Sequence, residues 1–418
     1  MEAIILAAGK GIGLHPITHT IHKVLVPVLD KSLIHRHLIE LKKANIDKVI
    51  VVVGYLKDQV INEVSKVVDL LDIEVVFVDQ KEPLGTGHAL SVAVPYIASE
   101  EFLVIYGDIY YEEGALVELT NVKGNALMVA KVSDPRRYGA VIIKNGLVRE
   151  IIEKPRTIIS NTVNAGIYKF QSDVMKYLDK MEISPRGEYE LTDVIYQLIN
   201  NGKEIKALTL SSWSDVGRPW KLIEINKEEL RKISNWGIYG RVESGVVIRG
   251  NVYVGEGSEI RSGTYIIGPV WIGNNVIIGP NSYIRPNTVI LDGARIGFNV
   301  EVKESIIMRG THASHQSYIG DSVIGEYSNL GAGTVLANLR FDEKEVKVKI
   351  KGKLEGSGRK KLGAFIGGYV KTGVNVSTFP GVKIGAYSWI YPGVVVTDDV
   401  PPYSILKYNG EIVPLRRT

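Results

Sequence analysis

The residues best suited to chemistry fall into two groups. The first opens with LAAGKGIGLHP, Leu6 to Pro16, where Gly9, Gly11 and Gly13 alternate just after the apolar run Ala3–Leu6. Backbone N–H groups exposed by such a turn can cradle phosphate. Further polar clusters follow: Lys23 in HKVLVPV, Gln80 ahead of LGTGHA, Asp108 closing FLVIYGD, YGAV at 138–141, EKP at 153–155, NAGIY at 164–168 and Asp215 in WSDVGRPW. The second group lies far downstream, where HASHQSYIGD brings His312 and His315 close together. Imidazole is suited to take a proton near neutral pH, as attack by an amine requires.

Elements must hold these residues in place, and the chain changes grammar between the two groups. Up to about residue 235, apolar runs (AIIL, VIVVVG at 49–54, EVVFVD at 74–79, FLVIYGD at 102–108) alternate with helical spacing over 33–44, 57–71 and 87–98. That alternation predicts an α/β domain, a mostly parallel sheet covered by helices on both faces. Ligands of such sheets bind beyond the carboxyl ends of the strands, which puts LAAGKGIG and YGD near each other in space. Pro219 to Ser234 reads as a connecting helix. The expected domains are therefore 1–235 and 236–418.

From Val246 the chain divides into sixes. Ile248, Val254, Ile260, Ile266, Ile272, Ile278, Ile284, Ile290, Ile296, Val302 and Met308 stand in one six-residue register. Each six can form a short strand and a corner, and stacked coils bury the repeated aliphatic residue, so the pattern predicts a parallel β-helix. The period breaks at 312–321, resumes at Ile324, Leu330 and Leu336, and breaks again from Leu339 to Gly363. It returns with Ile366, Thr372, Thr378, Ile384, Ile390 and Val396. The second interruption carries Lys344, Lys347, Lys349, Lys351, Lys353, Arg359, Lys360 and Lys361, and by itself reads as a solvated loop.

The clusters of the first half resemble the sugar-1-phosphate nucleotidylyltransferases, and the repeat resembles the hexapeptide-repeat acyltransferases. The two in one chain resemble the bifunctional uridylyltransferase–acetyltransferases of UDP-N-acetylglucosamine synthesis, especially the archaeal ones. The resemblance implies a Rossmann-like nucleotidyltransferase domain followed by a left-handed β-helix that assembles as a homotrimer. It assigns Leu6, Ala8, Gly9, Lys23, Gln80, Gly85 and Thr86 to UTP or dTTP, and Gly139, Glu153 and Asn164 to the sugar 1-phosphate. Asp108 and Asp215 would hold Mg²⁺, with Lys23 and Asp108 counted as catalytic. Two carboxylates from separate strand ends suit a metal that keeps several waters. In the second half it places the base at His315 rather than His312, with acetyl-CoA as the acetyl donor. Tyr318, Asn329 and Asn338 would bind the sugar or orient the reactants, and Arg285 and Lys303 the sugar phosphate or nucleotide. The insertion that holds Lys344 would reach toward a neighbouring subunit and the coenzyme A phosphates.

One departure from the family pattern stands out. The signature places an arginine facing the transferred phosphates where this chain has Gly13, after Ile12, and a proline where it has His22. Loss of such a guanidinium costs on the order of 100-fold in rate, so nucleotidyl transfer is expected to be weakened, and arginine restored at position 13 is expected to raise it. Two readings stay open beside the bifunctional one: a plain nucleotidylyltransferase with a non-catalytic β-helix, and a regulatory subunit that binds nucleotide sugar. A dinucleotide fold is excluded because G-x-G-x-x-G would need glycine at Leu14, and no Walker pattern occurs. The absence of cysteine rules out disulfides, thiolate catalysis and cysteine-bound zinc. With 50 basic against 46 acidic residues, total charge calls for neither nucleic acid nor an anionic membrane. No apolar run is long enough for a membrane helix, and the cytoplasm is the expected location.

Overall fold

The apolar runs of the first half form the strands that their composition favours. The computed structural model describes residues 1–415 and groups them into two compact units. The first runs to Asp215 without Gly11–Ile21 and Pro27–Lys31, which group with the second unit, as does everything from Val216 on. The helix Pro219–Lys232 therefore belongs to the second unit, where the sequence set the boundary at its far end.

The first unit is built on a nine-stranded sheet. Its strands lie in the order Glu74–Asp79, Lys48–Val53, Glu2–Ala7, Glu101–Tyr106, Thr162–Gln171, Asn125–Lys131, Ile205–Thr209, Leu147–Glu153, Gly139–Lys144. The first four pair in parallel, joined through helices such as Lys57–Leu71 and Thr86–Ala93. Beyond them the expectation of a mostly parallel sheet fails. Thr162–Gln171 runs antiparallel to both neighbours, and Leu147–Glu153 is antiparallel to both of its own. For the last pair the cause is local: Asn145 and Gly146 both take positive φ (55° and 73°), the two-residue turn that folds Gly139–Lys144 and Leu147–Glu153 into a hairpin. Val49 to Val52 and Phe102 to Ile105 are buried on both faces, and the core lies on either side of the sheet.

The second unit winds its coils into three walls, sheets of ten, eight and seven strands. Neighbouring strands within each wall are parallel except the last pair, Ser404–Leu406 and Ile412–Pro414. The repeated aliphatic residues stack directly, Ile260 on Ile278 and Ile278 on Ile296, and form the core. Two corners are one residue short. Val302 and Ile307 occupy successive core slots, as do Ile319 and Ile324, at five-residue spacing. Ile307, not Met308, therefore takes the core slot, and Ala313 and Ile319 carry the stack through 312–321, where the sequence showed a break. Glu304 and Asp321 turn these short corners at positive φ (43° and 50°).

The lysine-rich interruption is more ordered than a solvated loop. Lys347–Ile350 and Lys353–Gly356 form a hairpin, with Val346, Val348 and Ile350 buried and, between them, Lys347 exposed and Lys349 half-buried. Its alternation of Val/Ile with Lys is a strand pattern with one apolar face.

Candidate functional site

In the first unit a strand pairing assembles the acidic site. Ile109–Tyr111 runs antiparallel to Trp213–Asp215, with Asp215 opposite Ile109. That register places Asp215 beside the turn carrying Asp108. The Lys23 ammonium ion-pairs with Asp108 and lies 3.8 Å from Asp215. Burial pushes the Asp108 carboxyl up, but Lys23 outweighs it and holds the group below the usual carboxylate range. The side chains of Asp108 and Asp215 stay 32% and 27% exposed, so a ligand can reach them. Among the described residues no three or more His, Cys, Asp or Glu gather as a self-sufficient metal cage. Two carboxylates on an open face suit a hard cation such as Mg²⁺ that keeps several of its waters, and Asp108 and Asp215 would hold it.

Residues outside the motifs support this site. His37, on the helix Leu33–Lys43, places Nε2 3.2 Å from the Gly107 carbonyl and Nδ1 3.1 Å from the Tyr111 hydroxyl, bracing the turn of Asp108 from both sides. Burial lowers its pKa to about 4, so it acts as a neutral ring. The only trace in the sequence is a histidine on an apolar helix face. His22, where the family has proline, accepts from the Val24 N–H through Nδ1 and so caps the turn Lys23–Leu25. Leu6, Ala8 and Gly9 sit at and beyond the end of Glu2–Ala7, and the Gly107 N–H donates to the Leu6 carbonyl at 2.9 Å.

Gln80, Gly85, Thr86 and Asn164 are held by hydrogen bonds, with Gly139 and Glu153 packed beside Asn164. Gln80 donates through Nε2 to the Gly85 carbonyl at 3.0 Å, fixing the turn before Thr86. Gly85 has φ of 108°, a conformation open to glycine. Thr86 bonds to the Tyr106 hydroxyl. Tyr106 accepts from Tyr168 at 3.0 Å, and Tyr168 from Asn164 Nδ2 at 2.6 Å. A Cβ on Gly139 would lie 3.0 Å from Glu153 and 3.5 Å from Asn164, so these three meet. Burial raises the Glu153 carboxyl despite Lys154 at 3.7 Å and Arg186 at 3.5 Å. Tyr106, Tyr168 and Arg186 were not among the residues singled out in the sequence.

In the second unit the loop beyond Gly11 differs from the expectation at position 13. Gly13 has no special φ; what demands glycine is space. A Cβ there would lie 2.5 Å from the Gly217 carbonyl oxygen and 2.6 Å from Arg218 Nη1. Arg218 in turn forks onto Glu355 of the hairpin, at 2.8 Å from Nε and 2.9 Å from Nη2. An arginine at position 13 would bring its Cβ against this backbone and fits only if Gly217 and Arg218 shift.

The second group of residues divides over two walls. His315 ends the strand His312–His315, with Phe298 as its neighbour on the coil before, and Asn329 stands next to His312. His315 lines a cleft of about 230 Å³ with Arg261, Arg295 and Phe298. Across the corner, on the next wall, Tyr318, Lys303 and Asn338 converge on Asp321. Lys303 Nζ lies 2.8 Å from it, Asn338 Nδ2 donates at 2.6 Å, and the same amide reaches the Tyr318 hydroxyl at 3.0 Å. Asp321 is 1% exposed and also pairs with Arg359 at 3.1 Å. Arg285 is engaged separately by Glu301 at 2.8 Å, and Lys344 lies exposed at the start of the insertion, its N–H bonded to Asp342. Asp321 went unrecognised because the short corner concealed the register that buries it, and Arg359 because it lies in the insertion, outside the repeat.

Comparison with known proteins covers both units. A family model described as Nucleotidyl transferase matches residues 2–232, and one described as the GMPPB C-terminal domain matches 266–357. A bifunctional sugar-1-phosphate nucleotidylyltransferase/acetyltransferase of Sulfurisphaera tokodaii is 48% identical, covering 96% of this chain and 98% of that protein. The bifunctional protein GlmU of Methanocaldococcus jannaschii is 41% identical, covering 99% of each. A glucose-1-phosphate thymidylyltransferase of Streptomyces antibioticus is 32% identical over 65% of this chain and 78% of its own. Among the described residues no helix is long and apolar enough to cross a membrane.

Proposed function

This chain belongs to the nucleotidyl transferase family and, along its whole length, to the bifunctional sugar-1-phosphate nucleotidylyltransferase/acetyltransferases, and on that premise we propose that it performs both reactions. The observation that carries the reading is that near-complete match together with the presence of both residue sets.

In the first unit, an oxygen of a sugar 1-phosphate attacks the α-phosphorus of UTP or dTTP. The bond from that phosphorus to the bridging oxygen breaks, and pyrophosphate leaves. Three anionic groups must be held together, so cations and oriented N–H groups do the work. The N–H groups after Leu6 face the phosphates, Lys23 supplies a fixed positive charge, and Gln80, Gly85 and Thr86 receive the pyrimidine. Gly139 leaves room for the sugar between Glu153 and Asn164. Asp108 and Asp215 hold Mg²⁺, which neutralises phosphate charge when bound.

In the second unit, His315 takes a proton from the amino group of glucosamine or galactosamine 1-phosphate. The freed lone pair attacks the thioester carbon of acetyl-CoA, the C–S bond breaks, and coenzyme A leaves as the thiol. Arg285 and Lys303 receive the phosphate, and Tyr318, Asn329 and Asn338 orient the sugar, with Lys344 toward coenzyme A. The coils form a left-handed β-helix and work as a homotrimer in the cytoplasm.

The match of 266–357 to the GMPPB C-terminal domain favours a second reading, in which the β-helix does no acetyl transfer. Separate assays decide. Under the bifunctional reading, purified protein acetylates an amino-sugar 1-phosphate and His315→Ala abolishes that activity while nucleotidyl transfer persists. Nucleotidyl transfer alone would establish the second reading.

A further inference from the structure

We infer that Arg295 binds a phosphate group of the acetyl-transfer substrates in the cleft it shares with His315. The inference rests on the acetyl-transfer reading above and deepens it. The cleft lies wholly within the second unit and holds about 230 Å³. Two arginines and a histidine line it, and no carboxylate does. The two arginines differ in what they can still bind. Arg261 Nη2 lies 3.4 Å from Glu259. Arg295 is exposed, and among the described residues its guanidinium has neither an ion pair nor a hydrogen bond. The cations expected to receive phosphate are less free: Arg285 is engaged by Glu301 and Lys303 by Asp321, each at 2.8 Å.

The coil sets Arg295 in place. Arg295 and Phe298 belong to one strand, and Gly297 between them carries no side chain, so a groove opens there. On the next coil His312 stands beside Arg295 and His315 beside Phe298. One coil further Asn329 stands beside His312, so Arg295, His312 and Asn329 form one column of exposed residues. Because both line a cleft of this size, the guanidinium and the His315 imidazole lie within the span of one small ligand. In a 2-amino sugar 1-phosphate the amino and phosphate groups sit on adjacent ring carbons, so a base for one and a cation for the other serve the same molecule. Coenzyme A carries phosphates as well, and the cleft has room for its phosphate end rather than the whole coenzyme. A guanidinium offers five N–H donors in a planar fork that matches phosphate, and none of those on Arg295 is taken.

The test titrates the full-length protein calorimetrically with glucosamine 1-phosphate and with coenzyme A, and with glucosamine and pantetheine as their phosphate-free counterparts. Arg295→Gln is expected to weaken a phosphate-bearing ligand about tenfold, the worth of one charge-assisted hydrogen bond, and to leave its phosphate-free counterpart unchanged. In the acetyl-transfer assay KM for the same substrate should rise about tenfold with kcat nearly kept, because the contact is made in ground and transition states alike. Arg295→Lys recovers part of the affinity, since a point charge lacks the planar fork. A loss for glucosamine 1-phosphate assigns the phosphate to the sugar, and a loss for coenzyme A assigns it to the acetyl donor. Unchanged affinity for both, or an equal loss with the phosphate-free ligands, would overturn the inference, as would a wild type that binds neither phosphate-bearing ligand. A wild type that binds through Arg295 yet transfers no acetyl group would instead sink the acetyl-transfer reading and leave the phosphate site standing.

Discussion

The two units build their sites by opposite means. In the first, Lys23, Asp108 and Asp215 come from distant points of the chain and meet because two short strands, Ile109–Tyr111 and Trp213–Asp215, pair in one register. In the second, His315, Tyr318 and Asp321 lie within seven residues, and the repeat itself positions them. The first site depends on nonlocal pairing around a sheet; the second depends on where a regular coil departs from its period. Asp321 is buried because its corner is a residue short, and that burial gathers Lys303, Asn338 and Arg359.

This contrast predicts that the activities can be removed independently. His315→Ala should have the largest effect, lowering acetyl transfer on the order of 1,000-fold, since a general base contributes between about 100- and 10,000-fold. Nucleotidyl transfer in the same protein should be unchanged, and parallel assays of the two reactions read both numbers. Asp108→Asn should do the reverse, lowering nucleotidyl transfer by several hundredfold, the cost of about one charge-stabilising group. A variant that damages both activities equally would show that the two sites are not independent.

Acid should also act on identifiable groups. His19, in the second unit, has its pKa lowered to about 4, first by burial and then by the charges of His15 and Lys383. Between pH 6.5 and 4 the unfolded chain binds a proton there that the folded chain does not, so stability falls as pH falls through that window. Allowing for partial exposure, the loss attributable to His19 is about 2 kcal/mol. Glu2, in the first unit, is lowered to about 2: burial raises it, but Lys48, Ser99 and Ala98 prevail, so its contribution is lost between pH 4.5 and 2. Urea unfolding of wild type and His19→Gln as a function of pH should show the wild type losing about 2 kcal/mol more than the variant as pH falls from 6.5 to 4. Parallel curves would contradict the assignment.

How much of this was legible in the sequence follows from the range of the interactions. The strands of the first half lie within a residue or two of the apolar runs, because a strand buried on both faces needs an unbroken run. The antiparallel half of the sheet was missed although Asn145–Gly146 marks its hairpin, since the surrounding alternation pointed to helical crossovers. The candidate residues named from the sequence all lie in local motifs. His37, Tyr106, Tyr168 and Arg186 were not, because only the fold places them beside the motifs. Gly13 is the sharpest case: read alone it signals a lost group, and only the close approach of Gly217 and Arg218 shows that a side chain has no room there. In the second half the six-residue register carried the architecture, yet it failed by one residue at Glu304 and again at Asp321.

That failure supplies the smallest effect and a direct test of the coil. Ala313 is fully buried in a stack whose neighbours on the adjoining coils are Ile296 and Leu330. Its coil lies between the shortened corners at Glu304 and Asp321, and alanine stands there where isoleucine and leucine stand on the adjoining coils. Ala313→Leu should therefore overpack the core and cost about 1 to 2 kcal/mol, read as a lower melting temperature of the second unit. Because His315 is two residues further along the same strand, acetyl transfer should fall with it while nucleotidyl transfer holds. A more stable Ala313→Leu protein would mean that the slot is a cavity.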